Sequence, residues 1–201
     1  HALRGADAQI VEEAAENAAL RGMGTTVTMA YQLETQLCIL HVGDSRAYVF
    51  RNDALHQLTR DHTVVADMVR AGTLTQDAAT RHHLRHVITN VVGGESAGVF
   101  VEAHAVELRG GDCLLLCSDG LTEMVPDEAI RATLRAQNDP RVACEQLLQQ
   151  ANDAGGRDNI TIVIVRFDDD EERLLSPEAE ATTTLAAVPP AATTAAIAEQ
   201  P

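Results

Sequence analysis

The run "ITIVIVRF" at residues 160–167 restricts the fold more than any other stretch, because it is apolar at both parities of a strand. Ile160, Ile162 and Ile164 would point to one side and Val163 and Val165 to the other, leaving no face for solvent. The expectation is a central strand with a layer packed above and another below. The run "DCLLLCS" at 112–118 is almost as apolar, and it ends in Asp119-Gly120 with Glu123 one turn further on.

Shorter segments rich in β-branched and apolar residues precede these two. "TTVTMAYQL" (25–33), "QLCILHV" (36–42), "RAYVFR" (46–51) and "ALHQLT" (54–59) read as consecutive antiparallel strands, and "GVFVEAHAVEL" (98–108) resumes them. Residues 3–20 carry Leu3, Ala6, Ile10, Ala14 and Ala18 at helical spacing, with Glu12, Glu13 and Glu16 outward and Gly22 as the stop. Weaker helices are expected at about 63–71 and 75–85. Pro126, followed by Asp127 and Glu128, suits a helix start whose buried face holds Ile130 and Leu134. Another helix should run from Pro140 to Gly155-Gly156. Strands in runs and helices in runs argue an α+β fold: an antiparallel β-sandwich flanked by helices. Past Phe167 the periodicity gives way to Asp, Glu, Pro, Thr and Ala, so 168–201 reads as a disordered tail or linker.

With 201 residues and 45% hydrophobic content, one domain and one sizeable core are expected. The formal charge is −15 and every basic side chain is arginine. Such a surface repels nucleic acid and anionic membranes, and the lack of lysine excludes a Walker-type phosphate loop. Cys38, Cys113, Cys117 and Cys144 form no C-x-x-C pair and read as buried thiols of a reducing compartment. With neither a signal peptide nor an 18-residue apolar stretch, a cytoplasmic protein is expected. The chain opens on His1 within an apparent helix, from which an absent upstream segment is expected.

Three aspartates sit where strands begin or end: Asp44 in "HVGDSRAYVF", Asp119 in "CSDG" and Asp158 in "GRDN". Asp beside Gly, Ser or Asn is ordinary turn chemistry. Gathered at one rim, the same three would form an all-oxygen site for a hard divalent cation such as Mg²⁺ or Mn²⁺. Spacing alone does not decide between these readings.

The stretches "GMGTT", "HVGDSRAYVFRNDALHQLTRDHT", "VITNVVGG", "ELRGGDCLLLCSDGLTEMV" and "AGGRDNITIVIV" occur in an order and spacing, over about 145 residues, that resembles the metal-dependent protein phosphatase 2C family in its bacterial serine/threonine branch. The resemblance implies hydrolysis of phosphoserine and phosphothreonine in proteins, with two or three Mn²⁺ or Mg²⁺ ions in the complete domain activating a water for in-line attack on phosphorus. It makes Asp119 and Asp158 metal ligands and Asp44, with Asp119, part of a further metal position. Glu123 falls where the family sometimes has another acidic ligand, though a solvated loop residue fits equally. It implies phosphorylated proteins as partners, a bacterial Ser/Thr kinase as the opposing enzyme, and a monomer.

Two family motifs, an R-x-x-N-E-D-like strand and a D-G-x-G-G-H-like segment, do not occur in the chain. They carry the phosphate-binding arginine, the bridging aspartate and the proposed general acid, so no catalytic residue is assigned here. Residues 1–167 are read as a partial phosphatase domain with a flap at about 62–86, expected to be inactive or weakly active alone. The alternative is a non-catalytic phosphatase-like regulatory or binding module.

Other features have simpler readings. Arg46 and Arg157 adjoin the aspartates and are expected to pair with neighbouring carboxylates to hold their loops instead of binding phosphate. His82 and His86 are four apart and could offer two zinc ligands on a helix, but no third is evident, and a solvated flap end is favoured. The family usually has proline and asparagine where this chain has His83 and His86. "GMGTT" reads as a turn between helix and strand instead of a phosphate cradle.

Overall fold

The computed structural model describes residues 2–95 and 98–167; the expected tail at 168–201 lies outside the described residues. In chain order the elements are α1 (Ala2–Glu16), β1 (Gly24–Thr25), β2 (Val27–Leu33), β3 (Gln36–Val42), β4 (Arg46–Arg51), β5 (Ala54–Gln57), α2 (Val64–Arg70), α3 (Gln76–Ala79), β6 (Val92–Gly93), β7 (Glu102–Glu107), β8 (Cys113–Cys117), α4 (Asp119–Thr122), α5 (Asp127–Ala136), α6 (Pro140–Asp153) and β9 (Ile162–Arg166).

Two antiparallel sheets carry the fold, one ordered β2-β3-β7 and the other β5-β4-β8-β9. Their facing sides bury Leu37 and Ile39 from the first sheet against Ala47, Val49 and Leu114 from the second, closed by Leu108 and Phe167. The outer side of the larger sheet presents Tyr48, Leu115, Cys117, Ile162 and Ile164 to Ile130 and Leu134 of α5 and Ala143 and Leu147 of α6. This is the expected helix-flanked sandwich, with alternate residues of β4 and β8 supplying the two cores.

One expectation about β9 is corrected. It is covered on both faces, but it is the last strand of its sheet among the described residues, and β8 lies inside. Apolarity at both parities reports what covers the faces; it carries no information about whether both hydrogen-bonding edges are paired.

The helices are shorter than their patterns suggest. In α1 the inward residue is Asp7, which accepts a hydrogen bond from Gly93 N at 2.7 Å, while Ala6 and Ala18 are exposed. Thr63 caps α2 and Thr75 caps α3, each accepting from a backbone N–H three residues on. The second of these helices stops at Ala79, and no residue of 80–86 is helical, so His82 and His86 share no helix face. Segment 64–87 is an excursion closed at its base by a Thr63–Ile88 bridge, with Val64 N donating to Val87 O at 2.9 Å and Thr89 N to His62 O at 2.8 Å.

Candidate metal centre

Three separate connections deliver the aspartates to one end of the sandwich. Asp44 lies in the turn between β3 and β4, Asp119 opens α4 directly after β8, and Asp158 lies in the loop between α6 and β9. Ser118 and Thr161 tie the last two connections together: Ser118 N donates to Thr161 O at 3.1 Å, Thr161 N to Ser118 Oγ at 3.0 Å, and Ser118 Oγ to Asn159 O at 3.0 Å. Gly120 makes this possible, since a Cβ there would collide with the Asn159 carbonyl. The glycine after Asp119 is thus what lets the Asp158 loop close on it.

The electrostatics show the crowding of like charges. Burial is the first cause that pushes the Asp44 carboxyl up to about 6, followed by the facing charge of Asp119 and then by Asp61 and Glu123. Asp119 is raised as well, by burial and then by Asp158 and Glu123. Asp119 is therefore a charged neighbour of both Asp44 and Asp158. Acidic oxygens held together against their own repulsion suit a hard cation, so the donor chemistry fits the implied ions. Asp158 is exposed, and its Oδ1 accepts from Asn159 N at 2.7 Å.

The aspartates are near neighbours without forming a tight triad. Among the described residues, the trio of possible ligand atoms lying within 4.8 Å of one another is His41, His62 and Glu102, which the sequence reading did not single out. Its signal was available: His41 shares a strand parity with buried Leu37 and Ile39, and Glu102 occupies an inward position of β7.

Arg46 behaves as expected, pairing with a carboxylate, although its partner is Asp61 and not Asp44. Nε lies 2.9 Å from Oδ1 and Nη2 2.6 Å from Oδ2, while Nη1 donates to Tyr48 Oη at 2.9 Å. Among the described residues no ion pair joins Arg157, contrary to expectation; it lines the cleft instead. Glu123, at the end of α4, lies 2.5 Å from His86 Nδ1, so the end of the 64–87 excursion is held against the acidic cluster. His82 instead accepts from Leu84 N through Nδ1 at 3.2 Å, and its ring stacks on His83. The zinc reading of this pair is therefore not met.

A cleft of about 740 Å³ lies over the cluster. Asp44, Asp119 and Glu123 line one side, and Val65, Ala66, Val69 and Ala79 of the 64–87 excursion line the other. Arg60, Arg70, Arg85 and Arg157 also face it, placing cations beside the acidic residues in a strongly acidic chain.

Layered sheets with acidic connections converging under a cleft describe the site, and comparisons with known proteins place the chain in one family. The family model described as "Protein phosphatase 2C" matches residues 1–150, and the chain belongs to that family. The serine/threonine phosphatase stp of Listeria innocua is 37% identical over 157 residues, which is 78% of this chain and 62% of that protein. The protein phosphatase PhpP of Streptococcus pneumoniae is also 37% identical, over 78% of this chain and 63% of its own length. The serine/threonine phosphatase structure from S. agalactiae superposes with a TM-score of 0.78 at 32% identity, covering 83% of this chain and 68% of that one. The catalytic domain of serine/threonine protein phosphatase PstP in complex with two manganese ions gives 0.71 at 33%, covering 80% and 66%. The chain spans 62% to 63% of the length of the two curated relatives. Among the described residues, no helix is long and apolar enough to cross a membrane.

Proposed function

We propose that this chain supplies the later metal ligands, the flap and the substrate cleft of a metal-dependent protein serine/threonine phosphatase. The observation that carries this reading is the arrangement of Asp44, Asp119 and Asp158 at one rim, with Asp44 raised by burial and then by Asp119, and Asp119 raised by burial and then by Asp158 and Glu123. Asp119 and Asp158 would hold one Mn²⁺ or Mg²⁺, and Asp44 with Asp119 a further ion. When bound, such ions supply a water made nucleophilic near neutral pH and charge neutralisation for the phosphoryl group. The chain's own residues do the rest: Gly120 and Ser118 fix the Asp158 loop, the Arg46–Asp61 pair braces the wall, and segment 64–87 acts as the flap of a domain spanning residues 1–167.

Substrates are proteins phosphorylated on serine or threonine, and the partner activity is the kinase that places those phosphates. Arg60, Arg70, Arg85 and Arg157 give the cleft local positive charge that a phosphopeptide can approach despite the acidic surface. The formal charge of −15 favours a monomer, and four unpaired thiols favour the cytoplasm.

The test is hydrolysis of a phosphothreonine peptide with Mn²⁺. The 201 residues hold neither the arginine-strand motif nor the D-G-x-G-G-H-like motif. The chain alone should therefore turn over near background, and a fusion supplying both motifs ahead of residue 1 should turn over well above it. Asp119→Ala in that fusion should abolish the gain. A fusion as inert as the chain alone would favour the non-catalytic regulatory module.

A further inference from the structure

Buried His41, His62 and Glu102, with half-buried His104 beside them, form a second cluster apart from the aspartates. Its ligand-like spacing suggests a metal, but the hydrogen bonds argue otherwise. His62 Nδ1 receives Gly43 N at 3.0 Å and Asn90 Nδ2 at 2.9 Å. The Asn90 amide has its orientation fixed by Phe100, whose carbonyl accepts from Nδ2 at 2.7 Å and whose N donates to Oδ1 at 3.1 Å. With two donors aimed at Nδ1, that nitrogen carries the lone pair and Nε2 carries the proton, directed at Glu102 Oε2 3.6 Å away. A metal on Nε2 would force a proton onto Nδ1, against both donors. His41 is similarly committed, with Nε2 3.1 Å from the Arg60 carbonyl and Nδ1 2.9 Å from Thr28 Oγ1.

Several bonds of this cluster reach the turn that carries Asp44. His62 grips Gly43 from both sides: its Nδ1 accepts from Gly43 N, and its own N donates to Gly43 O at 2.8 Å. Thr28 has one hydroxyl proton to share between His41 Nδ1 and Ser45 O, the latter 3.1 Å away, and Thr26 Oγ1 lies 3.0 Å from Ser45 Oγ. Gly43 itself has φ +110°, and a Cβ there would collide with Thr26. The turn is therefore held by its two flanking residues while the Asp44 side chain is left for the cleft. Glu102 completes the hub by accepting from Arg60 N at 3.2 Å and by bonding His104 Nε2 at 2.6 Å.

We propose that His62, as the neutral imidazole with its lone pair on Nδ1, is a positioning residue that locks the Gly43–Asp44–Ser45 turn so that Asp44 faces Asp119. This rests on the reading of Asp44 as a metal ligand. Outer partners that orient a ligand typically change metal affinity about 10- to 100-fold when removed. The main chain of the same residue anchors the base of the 64–87 excursion, since His62 O accepts from Thr89 N at 2.8 Å, so Asp44 and that excursion share one anchor.

The experiment uses Mn²⁺ alone as probe, titrated into the 201-residue chain at pH 7.5. Asparagine places Oδ1 where histidine has Nδ1, whereas glutamine places its polar atoms near the Nε2 position. His62→Asn should therefore bind Mn²⁺ within about twofold of the parent, and His62→Gln should bind about 10- to 100-fold more weakly. Asp44→Ala separates the two ideas. If it binds as the parent does, the ligand reading fails; if it binds weakly while His62→Gln binds as the parent does, the positioning proposal fails. Should His62→Gln not fold, nitrogen-15 NMR of labelled histidine in the parent still decides: an unprotonated Nδ1 and a protonated Nε2 support the proposal, and the reverse tautomer overturns it.

Discussion

Asp44 shows how a proposed metal ligand works against the fold that holds it. Its raised carboxyl means that ionising it in the metal-free protein is unfavourable; the stability it contributes is full below about 3.8 and is lost as pH rises through about 6. Asp44→Asn should consequently raise the melting temperature of the metal-free protein at pH 7.5, while reducing the further rise on adding Mn²⁺. Thermal melts with and without metal check both signs. The cysteines carry no such tension: burial pushes Cys113 up to about 11 and Cys117 up to about 12, so these thiols serve as core residues and should resist alkylating reagents in the folded state.

At the scale of elements, the β8–α4 connection joins sequence to site most directly. A Cβ at position 120 would strike the Asn159 carbonyl, so Gly120→Ala should destabilise by about 1–3 kcal/mol and weaken Mn²⁺ binding by moving the Asp158 loop away from Asp119. Leu134→Ala in α5 should lower stability by about 2–5 kcal/mol, because Leu134 is fully buried against β8 and β9, yet leave metal affinity nearly unchanged. Urea melts and metal titrations of the two variants separate a loop effect from a core effect. The strands were the most legible part: β3 and β4 have the boundaries their apolar patterns predict, because one or both faces of each are covered. The edge position of β9 was not legible, since covering layers and not edge pairing set its composition. The end of α3 at Ala79 was hidden for another reason: residues 80–86 keep helix-compatible side chains but spend their backbone groups in successive turns. The individual aspartates were visible as strand-edge residues, whereas the His41–His62–Glu102 hub draws on three distant segments: strand parity marks His41 and Glu102 as inward but does not reveal that they meet His62.

For the whole molecule, the buried histidines make stability pH-dependent. Burial holds His41 and His62 below their ordinary value of 6.5, in the case of His41 helped by the nearby His62. Below that value the unfolded chain takes up protons that the folded chain refuses, so their contribution is full above about 6.5 and declines as pH falls. His62 faces Glu102, Asp67 and Asp61, which moderate the effect, and Arg70, which reinforces it. Glu102 is itself held low through His104, Arg60 N and His41, so its contribution is lost at still lower pH, in the same direction. Because Asp44 and Asp119 act oppositely, the informative quantity is a difference: from pH 7.5 to 5.5 the parent should lose more stability than His62→Asn. Chemical denaturation of both at the two pH values measures it.

The central claim is that three aspartates from separate connections form one cation-binding cluster in which Asp119 is shared between two ion positions. Calorimetric titration of Mn²⁺ into the parent chain and into Asp119→Asn, with both shown to be folded, tests it most directly. The account predicts saturable binding by the parent and its near-complete loss in the variant, because Asp119 is shared between the Asp44 and Asp158 sides. Equal binding by the two proteins would contradict it.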